Sequence, residues 1–326
     1  MPPTLSEINR MNTGFFYDPI YLEHDTGAHP ENAGRLRAVV DAVESAGLLP
    51  KLRTRAPRPA TGEEVGLVHD SGYVRRVEEA ALGGESFVDS PECAISEASY
   101  TVSLHAAGAV VEAVQAVAEG QLDNAFVACR PPGHHAEQDR ALGFCFFNNI
   151  AIGAATLIRR LGYERVLIFD FDVHHGNGTQ HAFEASPAVF FASMHQDPRT
   201  CYPGTGFAEE RGSGAGLGYT VNVPMPPYSE DGDYLDILRH RLLPLFREFR
   251  PQFILLSAGF DAHRDDPLAQ INLTQMAFDA MAADMKALAA ECCGGKLVSI
   301  LEGGYDYRRL SECAASHLAL LQSDAG

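Results

Sequence analysis

Asp172 and His174 are separated by one residue and could hold a metal ion together. At the end of an extended strand, residues two apart point to the same side, so a carboxylate and an imidazole can bind one ion. Asp261, in another polar cluster, could supply the third ligand. Three protein ligands and an open position for water are typical of a catalytic zinc site. Because the set is rich in oxygen, iron, cobalt or manganese remains an alternative, as does a strand-end cap with a turn histidine.

A pair of adjacent histidines, His134 and His135, follows the sequence Arg-Pro-Pro-Gly. The prolines and the glycine predict a sharp turn. An imidazole beside a metal-bound water can take a proton from it and later deliver that proton to a leaving amine. Exposed or structurally hydrogen-bonded histidines are the alternative for such a dipeptide alone. In the second pair, we interpret His174 as a ligand and His175 as structural.

Two polar residues beside the metal motif are candidates for orienting these histidines. Catalytic histidines need a second group that fixes their tautomer and tilt. We predict that Asp170 orients His134 and that Asn177 orients His135. A carboxylate raises the basicity of an imidazole more than an amide does, so the two rings could hold different protonation states. Asp170 could also bind a structural cation.

Tyr305 follows two glycines after a predicted buried strand. The glycines permit an irregular backbone and a close approach to a ligand. A hydroxyl placed there could stabilise the oxyanion that forms when water adds to a polarised carbonyl. A tyrosine that merely packs at a strand end is the alternative. With the metal ligands and the paired histidines, Tyr305 would complete an amide hydrolase.

An aromatic loop near the histidines could form a slot for an aliphatic stem. Phe144 follows Gly143 in this loop, and Tyr202 could form the opposite wall. We expect the neighbouring rings of Phe146 and Phe147 to lie in the core.

The elements that must position these residues are short apolar runs alternating with longer amphipathic ones. Residues 125–129, 166–171, 189–193, 253–257 and 296–301 read as buried strands. Residues 98–118, 149–161, 233–248 and 274–290 read as helices. The alternation predicts an α/β fold with a parallel sheet flanked by helices. Because each strand runs directly into a polar cluster, the clusters should converge at the carboxyl ends of the strands, where open sheets bind ligands.

Composition narrows the classes of function. The 326 residues carry a formal net charge of −18 and no basic stretch, which argues against a nucleic-acid partner and would attract a cationic one, although solubility alone could account for it. No uninterrupted apolar run is long enough for a bilayer, and the first residues lack the features of a secretory signal. Seven scattered cysteines indicate no disulfide framework. From the missing membrane span and secretory signal we expect a cytoplasmic protein without a membrane partner. We expect one domain over residues 1–326, with 1–14 as a flexible arm or an interface segment.

The ordered motifs resemble those of the histone deacetylase family, in particular its class II branch and bacterial relatives. The resemblance covers nearly the whole chain, from His29-Pro30-Glu31 and Arg35 onward. It is carried by the following motifs: Arg-Pro-Pro-Gly-His-His (130–135), Gly-Phe-Cys-Phe-Phe-Asn (143–148), Asp-Phe-Asp-Val-His-His-Gly-Asn-Gly-Thr-Gln (170–180), Ser-Ala-Gly-Phe-Asp (257–261) and Glu-Gly-Gly-Tyr (302–305).

The resemblance implies a single-domain arginase–deacetylase fold with the active site at the carboxyl ends of the strands. It implies one zinc ion at Asp172, His174 and Asp261, with His135 as general base and then acid, His134 as electrostatic helper and Tyr305 as oxyanion donor. It also implies two potassium sites. The inner site would use Asp170, Asp172, His174, Ser193 and Met194, and the outer site Phe183, Ser186, Val189 and Tyr219.

For the substrate, the resemblance implies an acetylated or short-acylated lysine in a peptide or protein. The substrate contacts would be Glu92, Gly143, Phe144, Tyr202, Leu268 and Gly303. Leu268 stands at the gatekeeper position, where an acid would favour a second cationic amine and a leucine suits a lysine stem. Asp89 lies near the rim acid Glu92. An acetylated polyamine remains the alternative substrate, especially if a homo-oligomer narrows the pocket.

Two further alternatives are more distant. An arginase-like ureohydrolase would need Asp-x-His-x-Asp at the central strand, but Asp172-x-His174 is followed by His175 and glycine. A non-catalytic binder of acetylated amines would be indicated by a replaced His135 or Tyr305, and both residues are present.

Overall fold

A computed structural model describes residues 11–323, in which eight strands form one parallel sheet. The strands are β1 (Thr13–Phe16), β2 (Arg53–Arg55), β3 (Asn124–Val127), β4 (Val166–Asp170), β5 (Val189–Gln196), β6 (Thr220–Met225), β7 (Phe253–Ala258) and β8 (Leu297–Leu301). Their order in the sheet is β2-β1-β3-β8-β7-β4-β5-β6. All the pairings between these strands are parallel, so the carboxyl ends of the strands lie along one edge of the sheet.

Helices cover the sheet. They are α1 (Ala33–Ser45), α2 (Gly62–Val65), α3 (Ser71–Gly83), α4 (Ser99–Ala118), α5 (Asn149–Arg159), α6 (Asn177–Phe183), α7 (Asp231–Ile237), α8 (Leu243–Phe249), α9 (Gln275–Cys293) and α10 (Tyr307–Gln322). Helix α10 packs between α1 and α9, and α4 packs against α5. The central strands β3, β4, β7 and β8 are buried along their whole length, which explains their continuous apolar sequences.

The predicted α/β class and the five predicted strands are confirmed. Sequence patterns missed β1, β2 and β6. Strand β2 has three residues of the sequence Arg-Thr-Arg at one edge of the sheet, and β6 forms the other edge and contains Pro224, which an edge strand tolerates. Of the segment 1–14 predicted as a flexible arm or an interface segment, Thr13 and Gly14 belong to β1, and residues 1–10 lie outside the described part of the chain.

The single helix predicted over residues 233–248 is wrong in its middle. Helices α7 and α8 are joined by a wide π turn at Leu238–Leu242. Pro244 stands at the start of α8. Because proline has no backbone N–H, the carbonyl four residues earlier lacks its helical hydrogen-bond donor. The chain accommodates that missing bond by widening one turn.

Helix α4 is long and apolar enough to cross a membrane by length and composition alone. Two-thirds of its apolar window is nevertheless buried inside the fold, against α5 and the sheet. This packing is that of a central core helix.

Candidate active site

The three predicted metal ligands come together at the carboxyl edge of the sheet. The ligand atoms of Asp172, His174 and Asp261 all lie within 4.8 Å of one another, and all three side chains are buried. The Nδ1 atom of His174 is 3.0 Å from Oδ1 of Asp172 and 3.1 Å from Oδ2 of Asp261. One imidazole nitrogen and two carboxylates therefore point into one small volume.

A loop brings Asp172 and His174 together, which corrects the strand-based prediction. Strand β4 ends at Asp170, so neither ligand lies on the strand. The backbone N–H of Asp172 donates to Asp170 at 3.1 Å, and that of His174 donates to Asp172 at 2.9 Å. Two successive backbone-to-carboxylate bonds thus fold the segment back on itself and aim both ligands inward.

The electrostatics of this cluster fit a bound cation. Burial and then the charge of Asp172 raise the pKa of Asp261, against the lowering effect of His174, so a positive group between the two carboxylates favours their ionised forms. Backbone N–H groups of Val173 and Gly303 donate to outward lone pairs of Asp261 and Asp172. Such supporting bonds hold ligands in place while leaving the inner lone pairs directed at the cluster centre.

The two paired histidines contact the partners predicted for them. Nδ1 of His134 lies 3.0 Å from Oδ2 of Asp170, and Nδ1 of His135 lies 2.7 Å from Oδ1 of Asn177. Burial alone would lower the pKa of His134, but the charges of Asp170 and Asp172 outweigh it and raise that pKa to about 10. Burial and then the charge of His134 lower the pKa of His135 well below its ordinary value. The carboxylate partner of His134 thus favours its protonated form, while the amide partner of His135 leaves that ring favoured in its neutral form.

Tyr305 lines the pocket above this cluster. The guanidinium of Arg35 lies 4.8 Å from the centre of its ring and donates to the carbonyl oxygens of Glu302 and Gly304, both at 2.6 Å. The backbone N–H of Tyr305 donates to Asp266 at 2.7 Å. The irregular Gly-Gly-Tyr segment is thus fixed from both sides.

A buried ion-pair network links Tyr305 to the histidine turn, and the motifs alone gave no role to its members. Glu31 accepts hydrogen bonds from Arg35 at 3.1 Å and from both Nε and Nη2 of Arg130 at 2.8 Å. Arg130 opens the Arg-Pro-Pro-Gly-His-His turn, while Arg35 holds Tyr305. Glu31 and Arg35 are close in sequence, but Arg130 lies 99 positions after Glu31, so the connection appears only in the folded chain, where all three residues are buried.

A cavity of about 320 Å³ lies where the aromatic loop predicts a slot. Its lining comprises Glu92, His135, Gly143, Phe144, His174, Tyr202, Leu268 and Tyr305. The ring of Tyr202 lies edge-on to His135, with 5.1 Å between centroids, and Phe144 lies edge-on to Tyr305 at 5.8 Å. The cavity therefore has aromatic walls with the basic histidine and the metal-ligand histidine among its lining.

Gly143 has a steric reason to be glycine. Its backbone has φ of +52°, and a Cβ there would overlap the ring of His135. A Cβ on Gly303, the other glycine predicted to contact substrate, would overlap Asp172 and Asp261 instead. The structure thus places Gly303 behind the ligand carboxylates and outside the pocket lining.

The sequence profile of the histone deacetylase domain matches residues 29–321. The chain belongs to the histone deacetylase family. Among its relatives is histone deacetylase 14, chloroplastic, of Arabidopsis thaliana, which is 41% identical over 93% of this chain and 75% of the relative. Another is the histone deacetylase-like amidohydrolase of Pseudomonas aeruginosa, which is 36% identical over 96% of this chain and 86% of the relative. The crystal structure of the HDA15 HD domain superposes with a TM-score of 0.90 at 36% identity, covering 97% of this chain and 90% of that one.

These similarities confirm the arginase–deacetylase fold and identify the chain as a hydrolase of the deacetylase and amidohydrolase family. As expected, Phe146 and Phe147 are buried core residues. His175 is held by Thr205 and Gln180, each at 2.9 Å, consistent with the structural interpretation of this second histidine.

Residues predicted for the inner monovalent-cation site lie on adjacent strands. Asp170 on β4 is in register with Ser193 on β5, which precedes Met194. Burial raises the pKa of Asp170 to about 6, against the lowering effect of His134, so a cation would favour its ionised form. The outer set is placed as follows: Phe183 ends α6, Ser186 follows it, Val189 opens β5, and Tyr219 directly precedes β6.

Proposed function

We propose that this protein is a zinc-dependent deacetylase that removes acetyl or another short acyl group from the ε-amine of lysine. The observation that carries the proposal is the convergence of a buried Asp-His-Asp cluster, a neutral histidine and a tyrosine hydroxyl on one aromatic-walled cavity. A zinc ion held by Asp172, His174 and Asp261 would supply the Lewis acidity that polarises an amide carbonyl and acidifies a water.

The side chains of the pocket divide the proton transfers between them. The Nδ1–H of His135 is engaged by Asn177, so its Nε2 lone pair is free to accept a proton from the attacking water and return it to the leaving amine. His134, which is hydrogen-bonded to the carboxylate of Asp170, would add positive charge nearby. Burial keeps the pKa of Tyr305 well above its ordinary value despite Arg35, so its hydroxyl keeps the proton that it donates to the developing oxyanion.

The residues at the rim of the cavity are suited to a peptide substrate. Glu92 lies at the mouth, and although burial would raise its pKa, hydrogen bonds from Ser90 and from backbone N–H groups lower it. An ionised carboxylate there can accept N–H bonds from the substrate backbone, while the apolar walls hold the aliphatic stem of lysine. Leu268 shares this rim and adds no second charge.

Leu268 also provides a test between lysine and polyamine substrates. We expect Leu268→Glu to raise kcat/KM for an acetylated polyamine relative to an acetyl-lysine peptide about fivefold, equivalent to about 1 kcal/mol for a partly exposed charge pair. Leu268→Gln is the control because it is similar in size and uncharged. An equal change with both variants would show that charge at this position does not select the substrate.

The proposal also covers monovalent cations, location and assembly. Two potassium ions at the inner and outer sets are proposed from the family resemblance and the buried Asp170. A cytoplasmic location is supported by the seven cysteines, all of which are free thiols. A homo-oligomer stays a prediction from the family.

Side-by-side assays of acetate release from an acetyl-lysine peptide and from an acetylated polyamine test the function. Chelator-sensitive release that favours the peptide is the expected result. A strong preference for the polyamine would keep the chemistry and overturn the lysine assignment. Zinc-loaded protein that hydrolyses neither of these nor longer acyl-lysines would favour a non-catalytic binder.

A further inference from the structure

We propose that Glu137 is a positioning residue that sets the orientation of the Asn177 amide and thereby the tautomer of His135. This inference rests on the proposed role of His135 as the base. It assigns a function to a residue that does not line the pocket and that none of the motifs above singles out.

The contacts around Asn177 define its orientation. Its Nδ2 donates to Oε1 of Glu137 through a short hydrogen bond and to the backbone carbonyl of His135 at 3.2 Å. An ionised carboxylate and a carbonyl can only accept hydrogen bonds. The NH₂ group of Asn177 must therefore face them, which leaves Oδ1 directed at Nδ1 of His135, 2.7 Å away. The hydrogen-bonding chemistry of these partners thus fixes which atom of the amide faces His135.

Glu137 is itself held from the outside. Its Oε2 lies 2.9 Å from Nδ1 of His181 on α6, and its backbone N–H donates to the carbonyl of Arg140 at 2.9 Å. The Glu137 side chain is 19% exposed, whereas Asn177 is 2% exposed as a residue. A continuous chain of hydrogen bonds thus runs from His181 at the surface through Glu137 and Asn177 to the buried ring of His135.

A flipped Asn177 would disable the base. The flip would present the NH₂ group of Asn177 to Nδ1 of His135. Nδ1 would then have to accept that hydrogen bond, so the ring proton would lie on Nε2. That tautomer has no lone pair on the nitrogen that faces the reaction. Glu137 makes the flip unfavourable, because the flip would place the amide oxygen of Asn177 against a carboxylate, and two acceptors cannot hydrogen-bond to each other.

Glu137→Gln weakens this constraint while preserving side-chain shape. We expect kcat on an acetyl-lysine peptide to fall about fivefold with KM within about twofold, a smaller effect than the 10- to 100-fold typical of direct partners because Glu137 acts through Asn177. Glu184→Gln is the matched control: Glu184 also raises the pKa of His181, but no described bond joins it to Asn177, so kcat should stay unchanged.

Asn177→Asp gives the sharper test. The new carboxylate can still accept from His135, but it would lie directly against the carboxylate of Glu137, and like charges at that spacing repel. In this background Glu137→Gln supplies a donor to the new acid and should raise kcat, whereas in the native background it lowers kcat. A residue with a merely structural role would be damaging in both backgrounds.

The measurement is kcat and KM for the wild type, Glu137→Gln, Asn177→Asp, their double variant, Glu184→Gln and His135→Ala, each with its thermal unfolding midpoint. Reversal of the sign of Glu137→Gln between backgrounds supports the inference. Loss of kcat of the same size and sign in both backgrounds, or none in either, overturns it while leaving the proposed function intact. If Asn177→Asp and His135→Ala both leave a folded, active enzyme unchanged, the proposed role of His135 fails instead.

Discussion

Asp261→Ala is expected to abolish both metal binding and amide hydrolysis. Asp261 supplies one of the three ligand groups, and its replacement leaves one carboxylate and one imidazole. Loss of even a supporting partner costs about 10- to 100-fold in metal affinity, so loss of a ligand should weaken binding by more than about a hundredfold. Hydrolysis should fall below detection because the remaining groups cannot acidify water.

Metal content per chain after dialysis and acetate release from an acetyl-lysine peptide measure these two effects. Asp284→Ala is the control, since it removes another aspartate from a surface ion pair with Arg239. Such pairs contribute little, so that variant should keep its metal and its rate. A folded Asp261→Ala protein with wild-type metal content and turnover would contradict the assigned ligand set.

Tyr305→Phe should lose turnover but keep its metal. The substitution removes one hydroxyl from a ring that Arg35 and the Gly-Gly backbone continue to hold. Removing one donor to a developing oxyanion typically costs about 10²- to 10³-fold in kcat. KM should change little, because the hydroxyl acts mainly when charge develops on the carbonyl oxygen.

Tyr307→Phe controls for the loss of a phenol hydroxyl two residues away. Its hydroxyl bonds to Asn32 at 2.6 Å and its side chain is exposed, so its loss should not affect the rate. Metal content and the thermal unfolding midpoint of Tyr305→Phe should match those of the wild type. Normal turnover by a metal-loaded Tyr305→Phe enzyme would rule out the oxyanion role.

The central sheet could be predicted because burial on both faces imposes a local signal. Strands such as β4 and β7 are continuous apolar runs between turn residues. Edge strands lack that signal: β2 has a charged sequence, and β6 carries a proline. The π turn between α7 and α8 was missed because apolar periodicity continues through it, and only Pro244 marks the change.

Most residues that line the pocket were predictable from the sequence, because they follow a predicted strand or belong to a polar or aromatic motif. Glu92 and Leu268 came only from the family resemblance. Residues that hold the pocket lining in place were not predictable. Glu31 acts through Arg130, 99 positions away, and Asp266 acts through the backbone of Tyr305. Glu137 lies two residues after His135, but its contact with Asn177 forms only because α6 folds back against it. Such support depends on tertiary contacts that no local pattern records.

The central claim, that metal held by Asp172, His174 and Asp261 drives amide hydrolysis in this pocket, is tested most directly by removing and restoring the ion. Chelator-treated protein would be titrated with zinc while acetate release from an acetyl-lysine peptide is followed. We predict no release without metal and a return of activity that saturates at about one zinc per chain, as expected for one three-ligand catalytic site. Undiminished acetate release from the metal-free protein would contradict the account.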